Sequence, residues 1–178
     1  MPAERLTREG AAPKLGIVHF GPGAFFRAFN AIWTEEAMAA QPGDWGICAV
    51  SLRSATFRDQ LAPQGGVYTS VTLAPSGMET RVIGSVVEVL VAPEDPAAVV
   101  ARMAEPGVKV VSLTITEKGY CHEPSTGRLR LDHPDIRHDL DHPATPVSAP
   151  GFLVAGLKAR REAGLRPFTV LSCDNLPS

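Results

Sequence analysis

A surplus of either charge sign is missing from this 178-residue sequence, in which 17 Lys+Arg face 19 Asp+Glu for a formal net charge of −2. Without excess cationic charge, general binding to a nucleic-acid backbone or an anionic membrane surface is excluded as the leading function. Cysteine is scarce. Cys48, Cys121 and Cys173 are odd in number, far apart and without CxxC spacing. That argues against a disulfide framework and against a zinc ribbon, and it fits a reducing, cytoplasmic setting. Long apolar runs are absent as well. Even the run from Val86 to Ala92 carries Glu88 and stops at Pro93, far short of the roughly 18 apolar residues of a membrane span. The N-terminal stretch interleaves charges with small residues and lacks the apolar segment of roughly 7–15 residues that a secretory signal requires.

What is present is a globular balance of 44% hydrophobic and 20% charged residues, with 16 Gly and 16 Pro that imply many tight connections. Leu15 to Phe20 is a short apolar run ending at Gly21-Pro22-Gly23, as expected of a strand buried on both faces of a parallel sheet. From Ala24 the period becomes helical and continues to Gln41-Pro42-Gly43. Trp45 to Leu52 then completes a strand–helix–strand unit whose right-handed crossover makes the two strands parallel neighbours. Val67–Leu73 and Thr80–Gly84 alternate around Pro75-Ser76-Gly77 and predict an antiparallel hairpin. A helix with acids in its first turn is expected from Pro93-Glu94-Asp95-Pro96, followed by a third buried strand at Val108–Ile115. The stretch from Glu117 to Val147 is loop-rich. Ser148-Ala149-Pro150 caps a last helix that ends at Gly164, and Phe168–Ser172 is a fourth core strand. The expected fold is therefore α/β: a doubly wound, mostly parallel sheet of four core strands with an inserted β-hairpin. Residues 1–14 form an N-terminal extension and 15–178 the domain.

Several residues can carry chemistry. Gly21-Pro22-Gly23 lies between a buried strand and a helix, where the backbone can approach a pyrophosphate and the helix N-terminus can offer free N–H groups. Phe26 stands where a third fingerprint glycine would be, so the turn can equally be a plain connector, and S-adenosylmethionine-binding sheets share its layout. At the end of the second strand the acid that usually binds adenosine ribose hydroxyls is missing. Arg53 and Ser54 stand there instead, either as a fork for a 2′-phosphate or as solvated loop residues. Thr116 and Glu117 leave the third strand at its C-terminal end, and Cys173, Asp174 and Asn175 leave the fourth strand on the same edge. These residues are expected to converge on one crevice. His19, inside the first strand, reads as a satisfied core histidine. The run from Asp132 to Pro143, with His133, His138 and His142, is the densest set of candidate metal ligands. It fits a capped surface helix better than a zinc site.

The runs GIVHFGPGAFFRAF, DWGICAVSLR, RVIGSVVEVLVAPEDP, VVSLTITEKGY, LDHPDIRHDL and PFTVLSCDNLP resemble the N-terminal Rossmann domain of the mannitol dehydrogenase family, which includes fructuronate reductase. The likeness extends from about Leu15 to Pro177. It implies a metal-independent, NAD- or NADP-dependent oxidoreductase of carbohydrate metabolism, exchanging a polyol or sugar acid (mannitol or mannonate type) with its keto form (fructose or fructuronate type). Gly21, Gly23, Phe25 and Arg27 match that family's cofactor turn, and with Pro22, Arg53, Ser54 and Thr116 they make up the expected cofactor residues. Asn175 matches the asparagine that holds the reacting oxygen, and Glu117 the acid along the proton path. The general-base lysine is expected in a helical C-terminal substrate domain, the partner of this one, outside this sequence. By itself the domain should be inactive; the alternative is a dinucleotide-binding module that stands alone without catalysis. Two departures stand out: Phe29-Asn30 replaces the His-Gln usual in the family's turn, and the loop after Leu52 lacks the Glu-Asp of mannitol enzymes. The wording TEKGYC is nearer to fructuronate reductase than to mannitol dehydrogenases.

Overall fold

The computed structural model describes residues 5–175; the first four residues of the extension and positions 176–178 lie outside it. Leu15–Phe20 forms β1 and Gly46–Ser51 forms β2, paired in parallel. Between them the helical stretch is two pieces, α1 (Ala24–Ala28) and α2 (Asn30–Ala40), because Phe29 at φ −130, ψ −70 leaves the helical region. After α3 (Thr56–Leu61) come β3 (Tyr68–Ala74) and β4 (Gly77–Ile83), an antiparallel pair with Ala74 opposite Gly77. Pro75-Ser76 makes the tight turn between them, and the hairpin forms a small sheet of its own.

Sequence periodicity undercounts the main sheet. A fifth parallel strand, β5 (Val86–Val91), pairs with β2 at the edge. Glu88 interrupts its apolar run, yet that carboxylate is tied to Arg102 and needs no core place. The rest of the sheet is β6 (Val110–Leu113), shorter than the apolar run around it, and β7 (Thr169–Ser172). The order is β5-β2-β1-β6-β7, all parallel. The chain thus winds outward from β1 on one side and then crosses to the other, so the strand order reverses between β1 and β6. β7 departs from the expectation of a core strand: all four of its residues are exposed among the described residues, since nothing covers this edge.

Period-two alternation sends neighbouring residues to opposite faces. Val18, Phe20, Cys48 and Val50 join Val99 and Met103 of α4 (Pro96–Met103) and Phe152 of α6 (Ala149–Glu162) in one core. Ile47 and Ala49 face the other way and meet Phe26, Ala31 and Leu61. The two helices of the first core touch closely, since a Cβ on Gly156 would lie 2.7 Å from the Met103 side chain. Asp95 precedes α4 rather than entering its first turn, and its side chain caps Ala98 N at 2.9 Å. Ser148 caps α6 by accepting from Gly151 N at 3.0 Å. The loop-rich stretch contains α5 (Pro134–Asp141). Asp139 fastens it to the start of α6 by accepting from Val147 N and Ser148 N at 2.7 and 3.0 Å. The N-terminal extension is held down too, for Arg8 donates to the carbonyls of Gly65, Gly84 and Val86.

His19 is buried in β1, stacked on Phe26 with centroids 4.0 Å apart. Its Nδ1 lies 2.8 Å from Ser112 Oγ and its Nε2 2.9 Å from Thr114 Oγ1. Thr114 spends its one proton on the Gly21 carbonyl, so Nε2 must carry the imidazole proton and Nδ1 accept from Ser112. Burial holds the pKa down at about 3, against a backbone bond to Gly21 and the charge of Asp174, which raise it. The neutral ring therefore stabilises the fold fully above the free value of about 6.5, and that stability is lost as pH falls from there toward 3. Between pH 6 and 5 the parent should lose about 1 kcal/mol more than His19→Asn in urea unfolding. Equal losses would show that His19 does not set this dependence.

Candidate functional site

At the reversal point the C-terminal ends of β1, β2 and β6 open into a recess of about 490 Å³, lined by Gly21, Pro22, Gly23, Arg27, Arg53 and Ser54, with Thr114 and Thr116 opposite. Its two glycines serve different ends. Gly21 has φ +87, and a Cβ there would stand 2.2 Å from the Thr114 carbonyl oxygen; only glycine lets β1 and β6 approach so closely. Gly23 has ordinary angles at the start of α1, and a Cβ on it would meet nothing nearer than Gly21 O at 3.9 Å. Its bareness leaves room in the recess rather than relieving the fold.

Charge is one-sided here. Among the described residues no Asp or Glu lines the recess, whereas Arg27 and Arg53 do. Arg27 folds back to donate from Nε to Gly23 O at 3.2 Å, with its guanidinium 5.5 Å from the Phe57 ring centroid. Arg53 is exposed and makes no ion pair or hydrogen bond among the described residues. Ser54 differs from the expected phosphate fork: its oxygen lies 2.7 Å from Thr56 Oγ1 and accepts from Thr56 N at 3.1 Å, starting α3. Phe25 lies outside the recess lining, 51% exposed, with its ring 4.9 Å from that of Phe29. Thr56, Phe57 and Gln60 of α3 complete the wall, and no spacing in the sequence marks them.

An adjoining hollow of about 390 Å³ is lined by Thr116, Glu117, Lys118, Asp174 and Asn175, so Glu117 and Asn175 do converge and Thr116 borders both spaces. The residue that builds this hollow is Asp174. Its carboxylate accepts from Ile115 N and Thr116 N, each at 3.0 Å, and from the Tyr120 hydroxyl at 2.8 Å. That strap holds Thr116 at φ +67, outside the usual range of an L residue. Burial, together with Asp174, pushes the Tyr120 phenol up to about 12, and Ser172 partly offsets it; Tyr120 is a donor throughout the physiological range. Cys173 is half-buried, and burial raises its thiol pKa.

Residues 15–178 match the mannitol dehydrogenase Rossmann domain. The chain belongs to that family. It is 52% identical over 163 residues to the uncharacterized oxidoreductase YeiQ of Escherichia coli (strain K12), covering 90% of this chain and 33% of that protein. To mannitol 2-dehydrogenase of Pyricularia oryzae it is 46% identical over 168 residues, 92% of this chain and 34% of that one. Among solved structures, the Pseudomonas fluorescens mannitol 2-dehydrogenase ternary complex with NAD and D-mannitol superposes with a TM-score of 0.88 at 44% identity. The match covers 93% of this chain and 34% of that one. The chain thus spans about a third of the length of the relatives it matches.

The geometry predicts unequal tolerance. Gly21→Ala should cost at least about 2 kcal/mol through the left-handed φ and the clash with Thr114, while Gly23→Ala should stay within about 0.5 kcal/mol of the parent; chemical denaturation of both variants measures it. Asp174→Ala should release the Ile115 and Thr116 amides to hydrogen exchange at least tenfold faster than in the parent while amides in β1 keep their protection. Unchanged exchange at 115 and 116 would remove Asp174 from its strap.

Proposed function

We propose that this domain binds a nicotinamide dinucleotide in the recess at the β1–β6 reversal and forms the cofactor half of an oxidoreductase acting on a polyol or sugar acid and its keto form. The acid-free recess over the bare Gly23 is the observation that carries it, because it offers space and positive charge to a pyrophosphate where the parallel sheet opens. The residues fit such a group: Gly21 brings the backbone turn close to β6, and Arg27, in the recess lining, donates back to Gly23 O. Bound there, the dinucleotide supplies the ring that exchanges hydride with the substrate carbon.

Everything else falls to the protein's own side chains. In this proposal Asn175 donates to the substrate oxygen without titrating and Glu117 relays its proton, a reading supported by their lining the same hollow. The general-base lysine belongs to a further helical domain, in keeping with relatives three times longer. Mannitol 2-dehydrogenases among the relatives favour a linear polyol, and the TEKGYC run favours a uronate-type substrate. Protein of this composition, with no helix among the described residues long and apolar enough to cross a membrane, is proposed to work in the cytoplasm. With Arg53 unpaired at the end of β2 and no carboxylate in the recess among the described residues, the 2′-phosphate of NADP(H) is the preferred adenosine mark.

Fluorescence titration with NADH and NADPH tests both levels of the reading. NADPH should bind the more tightly, and Arg53→Ala should remove roughly tenfold of that preference, as expected for loss of a charge-assisted contact. Gly23→Val should weaken both cofactors. Equal NADH and NADPH binding would keep the recess and discard the role of Arg53; binding untouched by Gly23→Val would discard the recess.

A further inference from the structure

Away from the crevice, the chain brings together three side chains that no reading of the proposed reaction uses. The Cys121 thiol, a His133 ring nitrogen and an Asp135 carboxylate oxygen all lie within 4.8 Å of one another. They come from two elements: Cys121 closes the 3₁₀ turn Glu117–Tyr120, while His133 and Asp135 flank the start of α5. Backbone bonds bring the two together, since Arg130 N donates to Cys121 O at 2.8 Å and His133 N to Arg130 O at 3.1 Å. The cluster is therefore formed before any ligand arrives. Cys121 is 5% exposed, His133 is half-buried and Asp135 is exposed, which leaves an entry path on the Asp135 side.

We infer that Cys121, His133 and Asp135 form a site for a divalent cation of the zinc class. Thiolate, imidazole and carboxylate are a borderline-to-soft donor set that selects Zn²⁺-like ions over Mg²⁺ or Ca²⁺. Bonds of about 2.0–2.3 Å put tetrahedral ligand atoms roughly 3.3–3.7 Å apart, so movements of about 1 Å close the site. Thiolate and carboxylate together neutralise a dication, and Arg130, whose charge acts on the Cys121 thiol, is engaged by Asp132 at 3.3 Å. The thiol has little to lose, its contact to Gly119 O being 3.8 Å long. Three protein ligands leave a fourth position for water. His138 and His142, the pair that spacing favours for a metal, lie toward and just past the end of α5, with their rings 5.0 Å apart and His138 against Asp139. A seated cation would fasten the turn that carries Glu117 to α5.

The test is a titration of the purified, reduced, metal-free chain with Co²⁺, followed by Zn²⁺. One equivalent of Co²⁺ should produce a thiolate-to-cobalt charge-transfer band in the near ultraviolet, and Zn²⁺ should abolish it. Cys121→Ser should remove the band. His133→Asn, which keeps a capping side chain for α5, and Asp135→Asn should each weaken binding roughly tenfold or more, with folding verified by circular dichroism. Cys173→Ser and His138→Gln should change nothing. No band in the folded parent, or a band that survives Cys121→Ser or follows Cys173 or His138, overturns the assignment.

Discussion

The hydroxyl of Thr114 donates to the carbonyl of Gly21 at 2.7 Å, and the crevice depends on this joint. It clasps the end of β1 to the end of β6, the two strands between which the winding reverses, and it needs a residue without Cβ at Gly21. His19 completes the joint from below by donating to Thr114, so a buried, neutral imidazole supports the floor of the turn. Loss of any one member leaves a buried polar group without its partner, which costs about 1–3 kcal/mol.

From that joint the site extends in two directions. Toward β2 the turn opens over Gly23 to a wall of Arg53, Thr56, Phe57 and Gln60, with no carboxylate in the lining among the described residues. Toward β7, Asp174 holds the backbone of Ile115 and Thr116 and so places Glu117 beside Asn175. The first space is lined by two arginines, the second brings Glu117 and Asn175 together, and Thr116 borders both.

Much of this was legible in the residues. The Gly21-Pro22-Gly23 turn, the hairpin, the Ser148 cap of α6 and the satisfied His19 follow from local chemistry that tertiary contacts do not override. Other features depend on partners far away in the chain. β5 hid behind Glu88 until Arg102 was seen to neutralise it. Asp174 reaches amides 58 and 59 residues distant, and only the neighbouring of β6 and β7 brings them together. The exposed face of β7 was unreadable for the opposite reason: apolar residues on an edge strand look like core residues in sequence. Motif alone does not show that Phe25 packs against Phe29 outside the recess lining, or that the Ser54 hydroxyl also starts α3.

Amide chemical-shift mapping of the isotopically labelled chain during addition of NADPH tests the central claim most directly. Binding at the strand reversal predicts perturbations concentrated at Gly21 to Arg27, Ser51 to Thr56 and Thr114 to Thr116, with the exposed face of α6 unmoved. Perturbations confined to α6 or to the β3–β4 hairpin, or none at saturating cofactor, would contradict it.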